Sequence, residues 1–226
     1  CMSFHLVSIQ LISSMNKGFP KKIADNVTMF SSDPILYVVD DFLSDEECQS
    51  FIDSSKGKLE DSTVVSTNRE TNHKNRTSQN CWIAHDANDQ VHEVSKRISI
   101  LVQMPIRNAE QYQLVFYKKG AEYKPHYDAF DYETDIGKKY WEPGGQRMIT
   151  VLAYLNDVDE GGGTSFPKLG VTIPAKKGNV VVFHNAIESI STTHPKVNPN
   201  SLHAGMPVIK GEKWMTNLWF REKLRY

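Results

Sequence analysis

The 226-residue chain predicts an α+β protein that is mainly β: one strand and two helices come first, and a run of short strands follows. Two observations carry this. Apolar residues recur at helical spacing up to about position 101. After position 107, short β-branched and aromatic runs alternate instead with Gly, Pro, Asn and Asp. Helices that precede such a set of strands back one face of an antiparallel double sheet, a sandwich or barrel. At 39% hydrophobic and 23% charged, the chain can bury one sizeable core. It reads as an N-terminal extension over 1–33 and a single domain over 34–226, with the strand core at about 110–222.

Each element has its own signal. Residues 34–39 form an apolar, β-rich run. Ser44-Asp45-Glu46-Glu47 is a capping box, in which the Ser hydroxyl accepts a first-turn N–H and the Glu reaches back to the Ser backbone. The helix it opens buries Cys48, Phe51 and Ile52. Residues 60–89 are polar and read as loop with one short strand at 80–84. Val91, Val94, Ile98 and Leu101 define a second helix packed across a sheet. Strands follow at 110–117, 146–155, 170–174, 179–184 and 214–221. The aromatic-rich stretch 130–141 reads as a long irregular loop, the kind that serves as a lid.

Composition removes several classes. A net charge of −1 and a pI near 6.8 give no broad basic surface, so no nucleic-acid partner is expected. No apolar run is long enough to span a bilayer, and 4–12 lacks the basic start of a signal peptide, so no membrane association is expected; the compartment is left unassigned. Cys1, Cys48 and Cys81 form no C-x-x-C pair and do not make a disulfide scaffold, although a Cys48–Cys81 bridge stays open. The sequons at Asn26 and Asn75 matter only in a secretory compartment. Oligomeric state is not encoded in any motif.

The chemistry sits in His126-Tyr127-Asp128. In a strand, residues i and i+2 share a face, so His126 and Asp128 can address one ion while Tyr127 points away. His203, in a short segment able to run beside that strand, supplies a third ligand. Two imidazoles and a carboxylate on one face of an octahedron leave positions open for substrate and oxygen, as in non-haem Fe(II) oxygenases. His184 and His194 compete for the third place, while His73, His85 and His92 read as surface residues. A lysine at position 213, within an apolar strand, is costly to bury unless it meets an anion.

Wider spacing adds a resemblance. Tyr117 stands nine residues before His126, and Lys213 ten residues after His203. With Gly161-Gly162-Gly163-Thr164, these segments resemble the catalytic domain of prolyl 4-hydroxylases, 2-oxoglutarate- and Fe(II)-dependent dioxygenases, over roughly 34–222. The resemblance implies a jelly-roll, or double-stranded β-helix, core with the N-terminal helices packed on one sheet. It implies Fe(II) on His126, Asp128 and His203, and 2-oxoglutarate held by Lys213, Tyr117 and Thr164. It further implies dioxygen as co-substrate, ascorbate as reductant, and a proline-containing peptide as partner, contacted by Arg76, Ser78, Glu110, Tyr123 and Arg147, with Tyr123 close to the iron. Gly163 departs from the family, which commonly carries an acidic residue there. The residues also leave open the same chemistry on another side chain, free amino acid or small metabolite, and a cupin-like module that binds metal without catalysis.

Overall fold

The computed structural model describes residues 18–62, 75–142, 144–187 and 194–225. Its first half runs β1 (Lys21–Ala24), β2 (Val27–Ser32), β3 (Ile35–Val39), α1 (Asp45–Ser54), β4 (Glu60–Asp61), β5 (Gln79–Ile83), α2 (Asp89–Val102), β6 (Tyr112–Tyr117) and β7 (Tyr123–His126). Then come α3 (Asp135–Trp141), β8 (Arg147–Tyr154), β9 (Glu160–Gly161), β10 (Thr164–Phe166), β11 (Val171–Ile173) and β12 (Val180–His184). The last strands are β13 (Ala186–Ile187), β14 (Lys196–Val197), β15 (His203–Gly205), β16 (Val208–Lys210) and β17 (Lys213–Arg221). A nine-stranded sheet, ordered β1-β2-β3-β12-β8-β17-β6-β5-β4, packs on a four-stranded one, β11-β10-β15-β7. This is the double-stranded β-helix expected from the resemblance.

Period-two alternation explains why the large sheet dominates. Val180 and Val182 of β12 face the helices with Val151 and Ala153 of β8, while Val181 and Phe183 face the small sheet with Leu152 and Tyr154. Both faces are buried, so these strands read as unbroken apolar runs. Helix α1 starts as its capping box predicts: Glu47 N–H donates to Ser44 Oγ at 3.2 Å, and Ser44 N–H donates to Glu47 Oε2 at 2.9 Å. Arg97 of α2 then clasps the same Glu47 at 2.6 and 2.8 Å, locking the two helices together. Cys48 and Phe51 are buried and Ile52 half-buried; Val91, Val94 and Ile98 fill the α2 side.

Three expectations change. Strands β1 and β2 lie ahead of position 34 and extend the large sheet edge through β3. The stretch 130–141 is not all loop, because Thr134 caps α3 by accepting from Gly137 N–H at 3.0 Å. Cys48 and Cys81 are buried and free, and burial pushes the Cys48 thiol up to about 11. No helix among the described residues is long and apolar enough to cross a membrane.

Candidate active site

Antiparallel pairing of β7 with β15 sets His203 directly opposite His126. Asp128 lies two residues beyond, in the bend that ends β7. Its Oδ1 is 3.6 Å from His126 Nε2 and its Oδ2 is 3.5 Å from His203 Nε2. The candidate ligand atoms all fall within 4.8 Å of one another, the one such group of His, Cys, Asp and Glu among the described residues.

The rings are oriented for a cation. Each Nδ1 sits at hydrogen-bond distance from the carbonyl two residues earlier, His126 from Lys124 O at 2.8 Å and His203 from Ser201 O at 2.9 Å. A carbonyl only accepts, so both Nδ1 atoms carry the proton and both Nε2 lone pairs face the centre. Burial and the neighbouring His203 lower the His126 pKa, which favours the neutral ligand form. Burial opposes charge on Asp128, but His203, His126 and Arg147 outweigh it and hold the carboxyl below its ordinary value. Thr150 Oγ1 donates to Asp128 Oδ2 at 2.7 Å, and Asn185 Nδ2 donates to Thr150 Oγ1 at 2.8 Å. That chain of bonds fixes the carboxylate. Two imidazoles and one oriented carboxylate suit Fe(II) with open coordination positions.

Lys213 begins β17 opposite Tyr117 and has no exposed surface. Its ammonium donates to Gly162 O at 2.7 Å and stands 4.5 Å over the Tyr117 ring. It forms no ion pair among the described residues, and burial pulls its pKa down to about 7. A buried cation without a counter-ion is a ready place for an anionic ligand. Thr164 Oγ1 and Tyr154 Oη, 2.6 Å apart, lie on the inner face with it. Gly161 and Gly162 have φ of +79° and +68°, which lets the loop present the Gly162 carbonyl. A Cβ at Gly163 would lie 2.7 Å from Ile173 O, so this loop has no room for the acidic side chain common in the family.

On the other flank, Tyr123 stacks on His126 with ring centroids 3.6 Å apart, and Arg76 lies 4.7 Å over Tyr123. Arg76 is buried, donating to Ser78 Oγ at 3.2 Å and Gln113 Oε1 at 3.0 Å. Glu110 and Arg147 meet each other: Nε and Nη2 reach the two carboxylate oxygens at 2.7 and 2.8 Å. Burial works against the Glu110 charge, yet Arg147 and Arg221 more than offset it and keep its carboxyl below the usual range. Arg147 also lies 3.8 Å over Trp219. Both oxygens of Glu110 are therefore committed inside the protein.

Of the other histidines, His85 is half-buried with Nε2 2.8 Å from Glu110 O, not a surface residue, because the α2–β5 crevice holds it. His92 is exposed, and His73 lies outside the described residues. His184 and His194 do not join the metal group. Sequence reasoning passed over Thr150, Asn185, Gln146 and Arg221. Arg221 is buried, bonds Glu110 at 3.0 Å, and donates to the carbonyls of Tyr140, Trp141 and Gly145. Its only sequence signal is a charge at the end of an apolar strand.

Residues 112–221 match the model of the 2OG-Fe(II) oxygenase superfamily. "Probable prolyl 4-hydroxylase 10" of Arabidopsis thaliana is 35% identical over 218 residues, covering 86% of this chain and 71% of that protein. Prolyl 4-hydroxylase 5 of the same plant is 34% identical over 215 residues, covering 86% and 70%. The crystal structure of the viral collagen prolyl hydroxylase of Paramecium Bursaria Chlorella virus-1, a 2OG complex, superposes with a TM-score of 0.64 at 30% identity. That match covers 82% of this chain and 95% of the viral one. With the triad and a buried lysine that forms no ion pair among the described residues on facing strands of the same barrel, the chain belongs to the prolyl 4-hydroxylase family of 2-oxoglutarate- and Fe(II)-dependent oxygenases.

Proposed function

We propose that this chain hydroxylates proline within a peptide at C4, consuming 2-oxoglutarate and dioxygen and releasing succinate and CO2. The observation that carries the reading is the fully buried Lys213, with no acidic partner among the described residues, in the same barrel as a preoriented His126–Asp128–His203 triad. In this reading the triad holds Fe(II), which supplies activation of dioxygen coupled to decarboxylation. Lys213 takes the distal carboxylate of 2-oxoglutarate, with Tyr117 and Thr164 as hydroxyl partners beside it. Tyr117 stays a neutral donor, because burial raises its pKa. Ascorbate serves as the reductant that keeps the iron ferrous.

The peptide lies across the open side of the triad. Arg147 commits Nε and Nη2 to Glu110, leaving Nη1 to donate to a peptide carbonyl. Tyr123, stacked on His126 and pushed up to about 12 by burial, offers an O–H beside the reacting carbon. Arg76 fixes Tyr123 from behind, with Ser78 anchoring Arg76. Glu110 acts by holding Arg147. The test is a purified chain with Fe(II), ascorbate, 2-oxoglutarate and proline-rich peptides. One succinate should form per peptide gaining one oxygen, with 4-hydroxyproline recovered on hydrolysis. Succinate formed only with free amino acids or metabolites overturns the peptide assignment, and no succinate with any substrate overturns the enzyme.

A further inference from the structure

Asn185, the residue between β12 and β13, is fully buried and joins two chains of hydrogen bonds that end on different triad ligands. Its side chain begins the first: Nδ2 donates to Thr150 Oγ1 at 2.8 Å, and Thr150 Oγ1 donates to Asp128 Oδ2 at 2.7 Å. Its main chain begins the second. Asn198 N–H donates to Asn185 O at 2.9 Å, Ser201 N–H to Asn198 O at 3.0 Å, and His203 Nδ1 to Ser201 O at 2.9 Å. Asn185 N–H in turn donates to Met148 O at 2.8 Å, which ties this joint to β8, the strand that carries Thr150. One residue therefore sets a carboxylate and an imidazole against each other.

The direction of the first chain is forced. An ionised carboxylate only accepts, so the single Thr150 hydroxyl proton goes to Asp128. The Thr150 oxygen is then open to a donor, and Asn185 supplies one with Nδ2. Turned over, the amide would offer Oδ1 to Thr150 and compete with Asp128 for that proton.

This orientation has a cost. Asn185 Oδ1 is buried with no hydrogen-bond partner, one of two such side-chain atoms among the described residues. Folds leave few buried acceptors unmet, because each gives up its bonds to water without return. An apolar residue of the same shape would avoid that loss, so packing alone does not account for an amide here.

We propose that Asn185 is a positioning residue for the metal: its amide fixes the direction of the Thr150 hydroxyl, and the hydroxyl aims the Asp128 carboxylate at the ion. The inference rests on the reading of His126, Asp128 and His203 as a metal centre. Without the Asn185 donor the Thr150 hydroxyl is free to turn, and Asp128 loses its fixed aim while every ligand is still present.

The test titrates the metal-free full chain with Fe(II) under nitrogen, and with Co(II) followed by its visible absorption. Asn185→Leu should weaken Fe(II) by about tenfold, the scale for partners that orient a ligand, and alter the Co(II) spectrum. Its metal-free melt should lie at or above that of wild type. Thr150→Ser, which keeps the hydroxyl, should bind as wild type does. The double variant Asn185→Leu/Thr150→Val should bind no more weakly than Thr150→Val alone, since the amide acts only through the hydroxyl. A further tenfold loss in the double variant, unchanged affinity in Asn185→Leu, or a metal-free melt of Asn185→Leu well below wild type overturns the positioning role and leaves the triad standing. Wild type that binds neither metal overturns the triad reading, and the role of Asn185 with it.

Discussion

The two faces of the large sheet treat charge in opposite ways. On the helix side, Arg97 is matched to Glu47 and the Tyr112 hydroxyl meets Ser95 Oγ at 3.0 Å, leaving an apolar core of Val91, Val94, Ile98 and Phe51. On the inner side, among the described residues, Lys213 is buried without an acidic partner and Arg76 bonds neutral oxygens. One face is built for stability. The other carries a standing electrostatic cost, and a buried cost that folding does not require marks where ligands bind.

The contrast breaks most sharply at the triad. Replacing His126, Asp128 or His203 by Ala should remove measurable turnover and Fe(II) binding while the circular dichroism melt stays cooperative; full activity in any one rejects the ligand assignment. Next in size, Phe51→Ala on the helix side should cost about 3–5 kcal/mol of stability, read by denaturant titration, with the 2-oxoglutarate KM unmoved.

Lys213→Met should do the reverse, raising stability at pH 6 by about 1–4 kcal/mol while sharply weakening 2-oxoglutarate. The sign follows from the lowered pKa. The unfolded chain holds this proton up to about 10.5 and the folded chain only to about 7, so wild-type stability climbs with pH between those values. The advantage of Met should therefore shrink over the same window.

Thr150→Val, which removes the donor to Asp128, should weaken Fe(II) by about 10–100-fold with little change in melting. The smallest effect is on pH. Above about 7 the empty Lys213 is neutral and a dicarboxylate must bring its proton back. Apparent 2-oxoglutarate affinity should then fall by up to about tenfold per pH unit, with proton uptake seen by calorimetry in buffers of different ionisation heat. Lys213→Arg should flatten that slope, since a guanidinium keeps its charge.

Sequence carried the large sheet because both of its faces are buried, so Val180–Val182 and Val151–Tyr154 stand out as apolar runs. It carried the triad and Lys213 because a metal and an anion each demand fixed residue types at fixed spacing. In the small sheet β11 was legible as the run at 170–174 and His126 and His203 by their chemistry, but β10 and β15 were not, since they are three residues long and follow glycine or loop residues. Gln146, Arg221 and the Glu110–Arg147 pair were hidden for another reason. Their partners lie 16 to 111 residues away, several are backbone carbonyls, and no periodicity records such pairings. Glu110 shows the consequence: position matched the family's peptide contacts, but its oxygens are taken up by two arginines.

The rung that sets His203 against His126 has a further meaning. An ion shared by those two rings ties together points 77 residues apart in sequence, the thermodynamic equivalent of a removable crosslink. Iron would then act as a staple of the small sheet as well as a reagent, so that starving the protein of metal loosens β7 and β15 first and leaves the helix-backed sheet intact.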